Sequence, residues 1–219
     1  MAAAAPETAM RPIPLMTALV LATASLSATA GTVFKDDFSS KRSGWADNSE
    51  ATMLGKTRGM GIYDDLGKFQ MTPLENDTIG LIPSPKQAAD GNVRITTDMF
   101  VYVSEGRGAG GVFCRAQDRD NFYAFLVTGN GGWSIIRSKD GKGNVLASGA
   151  LPRQVVDGMV DGVVGAECKG NTFTMTFKGK RLGSGTDDTW SNGQAGLVVL
   201  GTNLAATNAL YDDFLLESL

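Results

Sequence analysis

The chain has no histidine in its 219 residues. Catalysis by Ser-His-Asp or Cys-His groups is therefore excluded, as are zinc sites that depend on histidine. Cysteine is also scarce, with 2 residues, and charged residues make up 20% of the chain with a net charge of −3. Lysine and arginine are scattered rather than clustered. The chain thus lacks the basic surface with which proteins bind nucleic acid, and we expect no nucleic-acid partner.

The first thirty residues have the composition of a targeting segment. From Met10 the chain reads "MRPIPLMTALVLATASLSATA", with one arginine, an apolar run through Leu26 and small residues before Gly31. These are the parts of a secretory signal peptide. The apolar core is shorter than the ~20 residues that a membrane-spanning helix needs. We predict a signal peptide over residues 1–30, with Met10 as the true start, and a secreted or periplasmic protein that has no membrane span after cleavage.

After residue 31 almost nothing has the periodicity of a helix. Short runs of β-branched and aromatic residues recur, and each run ends at Gly, Asn, Asp or Pro. The 28 glycines lie singly or in pairs between these runs, as in a protein with many tight turns. Because all-β sandwiches of about 200 residues often form one unit, we predict one all-β domain over residues 31–219, a two-sheet antiparallel sandwich.

Two hairpins bear on the fate of the cysteines. A two-residue turn at 170–171 fits a type II′ hairpin and sets Cys168 opposite Phe173 on a wholly apolar face. With a second turn at 119–120, Cys114 also points to an apolar face. An even pair of cysteines in an oxidising compartment is usually a disulfide, and two small buried hydrophobes are the alternative. The inward register of both residues favours a Cys114–Cys168 disulfide.

The opposite face of the second hairpin predicts a ligand site. Its register sets Arg115 opposite Ala124, and Ala124 opposite Arg137 if the next hairpin closes over four residues. The two arginines would then stand ~10 Å apart on one open face, which also holds Gln117 and Trp133. Guanidinium groups bind carboxylates or hydroxyl arrays. Trp133 could stack on a sugar ring, as could Trp45 or Trp190 if either is exposed nearby.

A structural alternative exists for the same residues. Arg115 can lie along its strand and pair with a loop aspartate, while Trp133 closes a hairpin. The assignment of the two faces, and with it the inward position of Cys114, depends on the turn assignment, because a one-residue slip in register would exchange the faces.

Several segments resemble the concanavalin A-like (laminin-G-like) jelly-roll domains of bacterial secreted proteins. The central signature of these domains is similar to "GVFCRAQDRDNFYAFLV" followed by "GGWSIIR". Their opening resembles "FKDDFSSKRSGW", their hairpin segment "AECKGNTFTMTFKGKRL", and their later strands "SNGQAGLVV" and "YDDFLLES". The fold is shared by lectins, glycan-binding modules, family 16 glucanases and 3-keto-disaccharide hydrolase-like domains. The resemblance therefore implies the sandwich and leaves the activity open.

The resemblance also implies a structural calcium ion at the paired "DDF" motifs. If Phe38 and Phe214 are core residues, the two-residue period of a strand sends Asp36 and Asp212 inward as well. In related jelly rolls calcium ties the first strand to the last, and calcium accepts sites made only of oxygen ligands. We expect the ligands to be Asp36, Asp212 and Asp213. A carboxylate capped by main-chain N–H groups or by an arginine is the alternative.

The carboxylates show no catalytic pattern. Family 16 glucanases carry Glu-x-Asp-x-x-Glu or Glu-x-Asp-x-Glu, whereas the glutamates of this chain are isolated from one another. Asp118 and Asp120 approach the spacing of a glycosidase pair, but they fall in a tight turn, where aspartate favours local hydrogen bonds. Catalysis by this pair is not expected.

We therefore expect a non-catalytic module that binds carbohydrate or cell-envelope glycan. The predicted contacts are Arg115, Gln117, Trp133 and Arg137. One alternative is a glycoside or 3-keto-disaccharide hydrolase, which requires a carboxylate pair that converges only in the fold. Another is an adhesion module, which an exposed apolar patch would favour. The residues of such a patch would be Phe113, Phe122, Leu126 and Ile135.

Overall fold

The computed structural model describes residue 1 and the ranges 31–46, 51–52, 55–56, 59–73, 76–103, 108–152, 158–201 and 207–219. The regular elements of these ranges are all strands: β1 (Gly31–Asp36), β2 (Ala51–Thr52), β3 (Gly55–Lys56), β4 (Gly59–Tyr63), β5 (Phe69–Pro73), β6 (Thr78–Pro83), β7 (Val93–Val103), β8 (Ala109–Asp118), β9 (Asn121–Thr128), β10 (Gly132–Lys139), β11 (Lys142–Ala150), β12 (Met159–Lys169), β13 (Thr172–Phe177), β14 (Lys180–Thr186), β15 (Gln194–Gly201) and β16 (Thr207–Ser218). Almost all of the predicted signal peptide, residues 2–30, lies outside the described residues. Within them, no helix is long and apolar enough to cross a membrane.

Two antiparallel sheets pack face to face. The larger sheet has 8 strands in the order β14-β13-β12-β7-β16-β5-β4, with β1 paired to β16. The smaller sheet has 6 strands in the order β11-β10-β9-β8-β15-β6, and β2 and β3 form a separate pair. The predicted all-β, two-sheet antiparallel sandwich is confirmed.

Strict alternation of side chains explains why the sheets face each other. In β7 every second residue is buried, including Ile95, Met99 and Val101, while the residues between them are partly or fully exposed. The inner faces of both sheets combine into one apolar core. Because each fully buried aliphatic side chain contributes about 1.5–3 kcal/mol, this core is the main source of stability.

A disulfide joins the two sheets through that core. Cys114 of β8 and Cys168 of β12 are fully buried and bonded to each other, with a sequence separation of 54. The β12–β13 hairpin has the predicted register, with Cys168 opposite Phe173. The disulfide prediction is confirmed.

The register of β8 and β9 differs from the predicted one. The turn at 119–120 forms, but Cys114 lies opposite Tyr123 instead of Phe125, because β8 bulges immediately after Cys114. Arg115 stands in this bulge in the left-handed region, with φ of 52°. A bulge reorients the side chain that it carries, and it turns Arg115 away from the open face.

Strand β10 is displaced by one residue from its predicted position. Arg137 lies opposite Tyr123 rather than Ala124. The reason is the preceding loop, which has three residues rather than four and ends at Gly131 with φ of 83°. A one-residue slip exchanges the faces of a strand, so Trp133 and Arg137 lie on the inner side of the sheet. The predicted row of two arginines across an open face is wrong.

A bulge in β16 changes the direction of Asp212. The strand is irregular after Asp212, and Asp213 has φ of 47°. Tyr211 and Phe214 are both buried although they are three residues apart, so the alternation is reset between them. Asp212 points outward and pairs with Lys68 at 2.9 Å. The prediction that Asp212 follows Phe214 into the core is wrong.

Candidate functional site

Residues 187–193, which connect β14 to β15 and are called the site loop here, gather polar side chains from several strands. Three of the four predicted ligand contacts bond to this loop. Arg115 donates to the carbonyl of Trp190, and Gln117 donates to that of Asn192. Arg137 bonds to side chains of the same loop. The structure thus brings these three residues to one loop, by a different arrangement from the predicted row.

An ion pair between Arg137 and Asp187 forms the accessible part of the site. Arg137 Nη1 donates to Asp187 Oδ2 at 2.7 Å and to Thr189 Oγ1 at 3.1 Å. The other carboxylate oxygen accepts from the Tyr123 hydroxyl at 2.6 Å and from the Thr189 N–H at 2.9 Å. The two charged side chains are 26% and 10% exposed. The orientations of both side chains are therefore fixed by neighbouring groups of the protein.

Arg137 retains free donors. Among the described residues only its Nη1 atom has hydrogen-bond partners, and the buried Nε atom has none. A buried donor without a partner is uncommon in native proteins. The side chain is 26% exposed, so its Nη2 group can donate to a bound molecule.

The environment shifts the pKa values of Asp187 and Tyr123 in opposite directions. Burial alone would raise the pKa of the Asp187 carboxyl, but hydrogen bonds from Thr189 and Tyr123 and the charge of Arg137 together lower it. Burial, with the hydrogen bond to Asp187, raises the pKa of the Tyr123 hydroxyl to about 12. At neutral pH the carboxylate is therefore ionised and the phenol holds its proton.

Trp190 adds an aromatic ring to the site loop. Its ring is half-buried, and its centroid lies 5.4 Å from that of Tyr123 at an interplanar angle of 71°. Its main-chain N–H donates to the Tyr123 hydroxyl at 3.3 Å. The prediction of contacts missed Asp187, and it named Trp190 only as a ring that could stack on a sugar if it were exposed nearby. The sequence signal was "TDDTW", polar and aromatic residues in a connection between two strands.

Arg115 lies beneath the site loop, where it is 2% exposed. Its Nε donates to the Gly91 carbonyl at 2.9 Å, and its Nη1 donates to the carbonyls of Gly170 at 2.7 Å and Trp190 at 3.0 Å. The guanidinium carbon stands 5.2 Å from the centre of the Phe173 ring. Burial lowers the pKa of this guanidinium, which forms no ion pair within the described part of the chain. Its position beneath the loop is one that a ligand cannot reach.

Gln117 and Trp133 have different surroundings. Gln117 is exposed, and its amide donates to the Asn192 carbonyl at 2.6 Å. Trp133 is only 8% exposed and packs in the core between the two sheets. A Cβ atom at Gly183 would lie 2.4 Å from its ring, and one at Gly149 would lie 2.9 Å from it. Two glycines thus make room for this indole, and its predicted position on an open face is wrong.

The predicted calcium ligands lie at the other edge of the sandwich. A groove of about 350 Å³ has the lining Lys35, Asp36, Asp37, Asp213, Phe214 and Leu215. The Asp36 carboxylate accepts from the Trp45 indole at 2.8 Å and from the Phe38 N–H at 3.1 Å. Asp212 is not part of this lining. No cluster of three or more Asp, Glu, His or Cys residues that could hold a metal occurs among the residues described, and calcium stays a prediction.

Asp118 and Asp120 lie in the turn, as expected. One oxygen of Asp118 accepts from the Asp120 N–H at 2.8 Å and from the Asn121 amide at 2.9 Å. Asp120 forms an ion pair with Arg119 at 3.4 Å. These are the local bonds that stabilise a tight turn.

The outer face of the smaller sheet is apolar. Phe113, Phe122 and Leu126 belong to a second apolar cluster on this face and are at most 3% exposed. Ile135 lies instead in the core between the sheets. The exposed patch that would favour an adhesion module is therefore not formed by these four residues.

No family model and no curated protein sequence matches the chain, whereas solved structures match its fold. The carbohydrate-binding module CBM66 from Bacillus subtilis is 21% identical, covering 86% of this chain and 95% of that one, with a TM-score of 0.53. The exoplasmic/lumenal domain of VIP36, bound to Ca²⁺ and mannose, is 16% identical over 82% and 91%, with a TM-score of 0.55. A Bacillus licheniformis β-glucanase is 9% identical over 86% and 99%, with a TM-score of 0.54. The chain therefore has the concanavalin A-like jelly-roll fold that its sequence resembles.

Proposed function

We propose that the protein is a secreted or periplasmic, non-catalytic glycan-binding module whose ligand binds at the site loop. The observation that carries this proposal is the Arg137–Asp187 pair, which is partly exposed and held in place by Tyr123 and Thr189. Sugar hydroxyls need donors and acceptors that are already oriented, because such contacts replace hydrogen bonds with water. The same fold in CBM66 and in the mannose-bound VIP36 domain supports the proposal.

The geometry favours a neutral glycan. The charge of Arg137 is matched by Asp187 at 2.7 Å, and the neighbouring Asp188 is exposed. An anionic sugar would meet a cation that is already neutralised and a second carboxylate close by, so like charges would repel it. A neutral sugar can accept from Arg137 Nη2 through a hydroxyl, while its apolar C–H face packs on the ring of Trp190.

Binding to a panel of neutral and uronic acid-containing polysaccharides tests the proposal. We expect the oxidised protein to bind a neutral polymer, with an affinity that changes little between 50 and 500 mM salt. Arg137→Met should weaken that binding at least tenfold, which is about 1.4 kcal/mol.

Arg181→Met is the matched control. Arg181 lies on β14 and bonds to Ser184 Oγ at 2.7 Å, away from Asp187. The Arg181→Met variant should bind the neutral polymer as tightly as the unaltered protein does. Equal binding by Arg137→Met, or no binding to any polymer, would show that the proposed function is wrong. If the protein binds only uronic acid polymers and loses that binding at high salt, the proposed site is right and the proposed neutral ligand is wrong.

A further inference from the structure

We infer that Arg115 is a positioning residue, which holds the site loop in its ligand-binding conformation from a place that no ligand touches. The inference rests on the proposed function. It replaces the predicted direct contact of Arg115 with an indirect role, and it gives the site a second determinant of affinity.

Arg115 ties together three segments that are far apart in the sequence. Its donors reach the carbonyls of Gly91 before β7, Gly170 in the β12–β13 turn and Trp190 in the site loop. The bulge at Arg115, with φ of 52°, aims the side chain at all three. A straight-chain ammonium cannot reproduce such a planar fork of donors, so lysine is not equivalent to arginine here.

The environment of Arg115 indicates that this residue fixes one conformation of the chain around it rather than adding stability. A buried cation is costly, and replacing buried ionic groups by apolar ones is often neutral or stabilising. Arg115 has no carboxylate partner among the described residues to offset that cost, only main-chain carbonyls, the Asn92 amide and the Phe173 ring. A methionine could fill similar volume. It could not fix the positions of three carbonyls at once, and this is the property that the arginine supplies.

The connection to the ligand runs through Trp190. Arg115 holds its carbonyl, and Tyr123 holds its N–H. The same Tyr123 hydroxyl donates to Asp187, so the two arginines act on one hydrogen-bonded chain. Loss of Arg115 should release the Trp190 main chain while the Arg137–Asp187 pair persists.

Hydrogen exchange in the oxidised full-length protein tests the positioning without any ligand. Arg115→Met should speed amide exchange of residues 187–193 by about tenfold or more, with β12 and β13 unchanged, because local opening needs less free energy than global unfolding. Arg94→Met is the control, since Arg94 pairs with Glu167 at 2.9 Å on the outer face of the larger sheet. Unchanged exchange in the loop, or equal acceleration in every strand, would overturn the inference.

Two milder variants protect the test against misfolding. Arg115→Lys keeps the charge and should give a smaller acceleration in the same residues. Gln117→Ala removes the amide that donates to the Asn192 carbonyl at 2.6 Å and to the Arg115 carbonyl at 3.2 Å, and it should accelerate the C-terminal part of the loop. If the loop of Arg115→Lys exchanges no faster than that of the unaltered protein, Arg115 does not position it.

A double-mutant cycle measures the connection to binding. Arg115→Met should weaken binding of the neutral polymer about tenfold, but should add nothing to Trp190→Ala, because coupled residues are not additive. Additive losses would overturn the inference even if Arg137→Met confirmed the site. If no polymer binds, the proposed function fails, and the exchange measurement still decides whether Arg115 positions the loop.

Discussion

Arg115 and Arg137 meet the same loop under opposite conditions. Arg115 is 2% exposed and bonds to main-chain carbonyls, whereas Arg137 has a 26% exposed side chain and bonds to a carboxylate. The carbonyl acceptors of Arg115 do not neutralise its charge, but its hydrogen bonds hold the main chain in place. The Asp187 carboxylate neutralises the charge of Arg137 and leaves some of the N–H donors of Arg137 free. We infer from this difference that the type of acceptor and the depth of burial decide whether an arginine positions a loop or presents donors to a ligand.

The largest expected effect on stability comes from the disulfide, whose Cys114 immediately precedes Arg115 in the chain. Replacing Cys114 and Cys168 together by alanine should lower the free energy of unfolding by about 4 kcal/mol, because the bridge closes a loop with a sequence separation of 54. Urea unfolding of the oxidised protein and the double variant measures the change. A loss below about 1 kcal/mol would show that the two sheets do not depend on this link.

The two arginines should differ in their contribution to stability. Arg115→Met should change the free energy of unfolding by well under ~1 kcal/mol, because the lost hydrogen bonds are offset by the removal of a buried cation that has no carboxylate partner among the described residues, and water can reach the carbonyls of an opened loop. Arg137→Met should cost about 1 kcal/mol, since Asp187 keeps Tyr123 and Thr189 as partners. Thermal or urea unfolding compares them. Equal changes in the free energy of unfolding would contradict the different roles given to Arg115, which positions the loop, and Arg137, which presents donors to a ligand.

The smallest expected effect is the pH dependence of stability that comes from Asp187, the partner of Arg137. The folded pKa of Asp187 is lowered from its usual 3.8, so its stabilisation is fully present above that value and is lost as pH falls through the folded pKa. Asp187→Asn should therefore be less stable than the unaltered protein at pH 6, by about 0.5–1 kcal/mol. The gap should close below pH 3.8. A gap that is constant down to pH 2 would show that the carboxylate is not held as described.

The fold was predictable because the residues of its turns can be recognised in the sequence. The 170–171 turn joins strands without a bulge, and the predicted register of β12 and β13 is confirmed. Where a non-glycine residue takes positive φ, as Arg115 and Asp213 do, the sequence carries no comparable signal. Both bulges arise there, and they redirected Arg115 and Asp212.

The site was predictable only in part, for a different reason. Arg137 and Gln117 were identified as polar residues near the central hairpin, and both bond to the site loop. Asp187, the partner of Arg137, is 50 residues away along the chain, and only the packing of the two sheets brings them together. Residue types can suggest one half of such a pair. The topology supplies the other half.

The pairing of β1 with β16 has a consequence for engineering. Gly31 lies opposite Ser218, so the beginning and the end of the folded sandwich are neighbours on one edge. Opposed residues in an antiparallel pair have Cα atoms about 4.5–5.5 Å apart, so a linker of a few residues would join residue 219 to residue 31. A circular permutant closed in this way, and opened in the β13–β14 turn, would keep every strand of both sheets. Its new termini in the β13–β14 turn would then be the points for fusion to another protein.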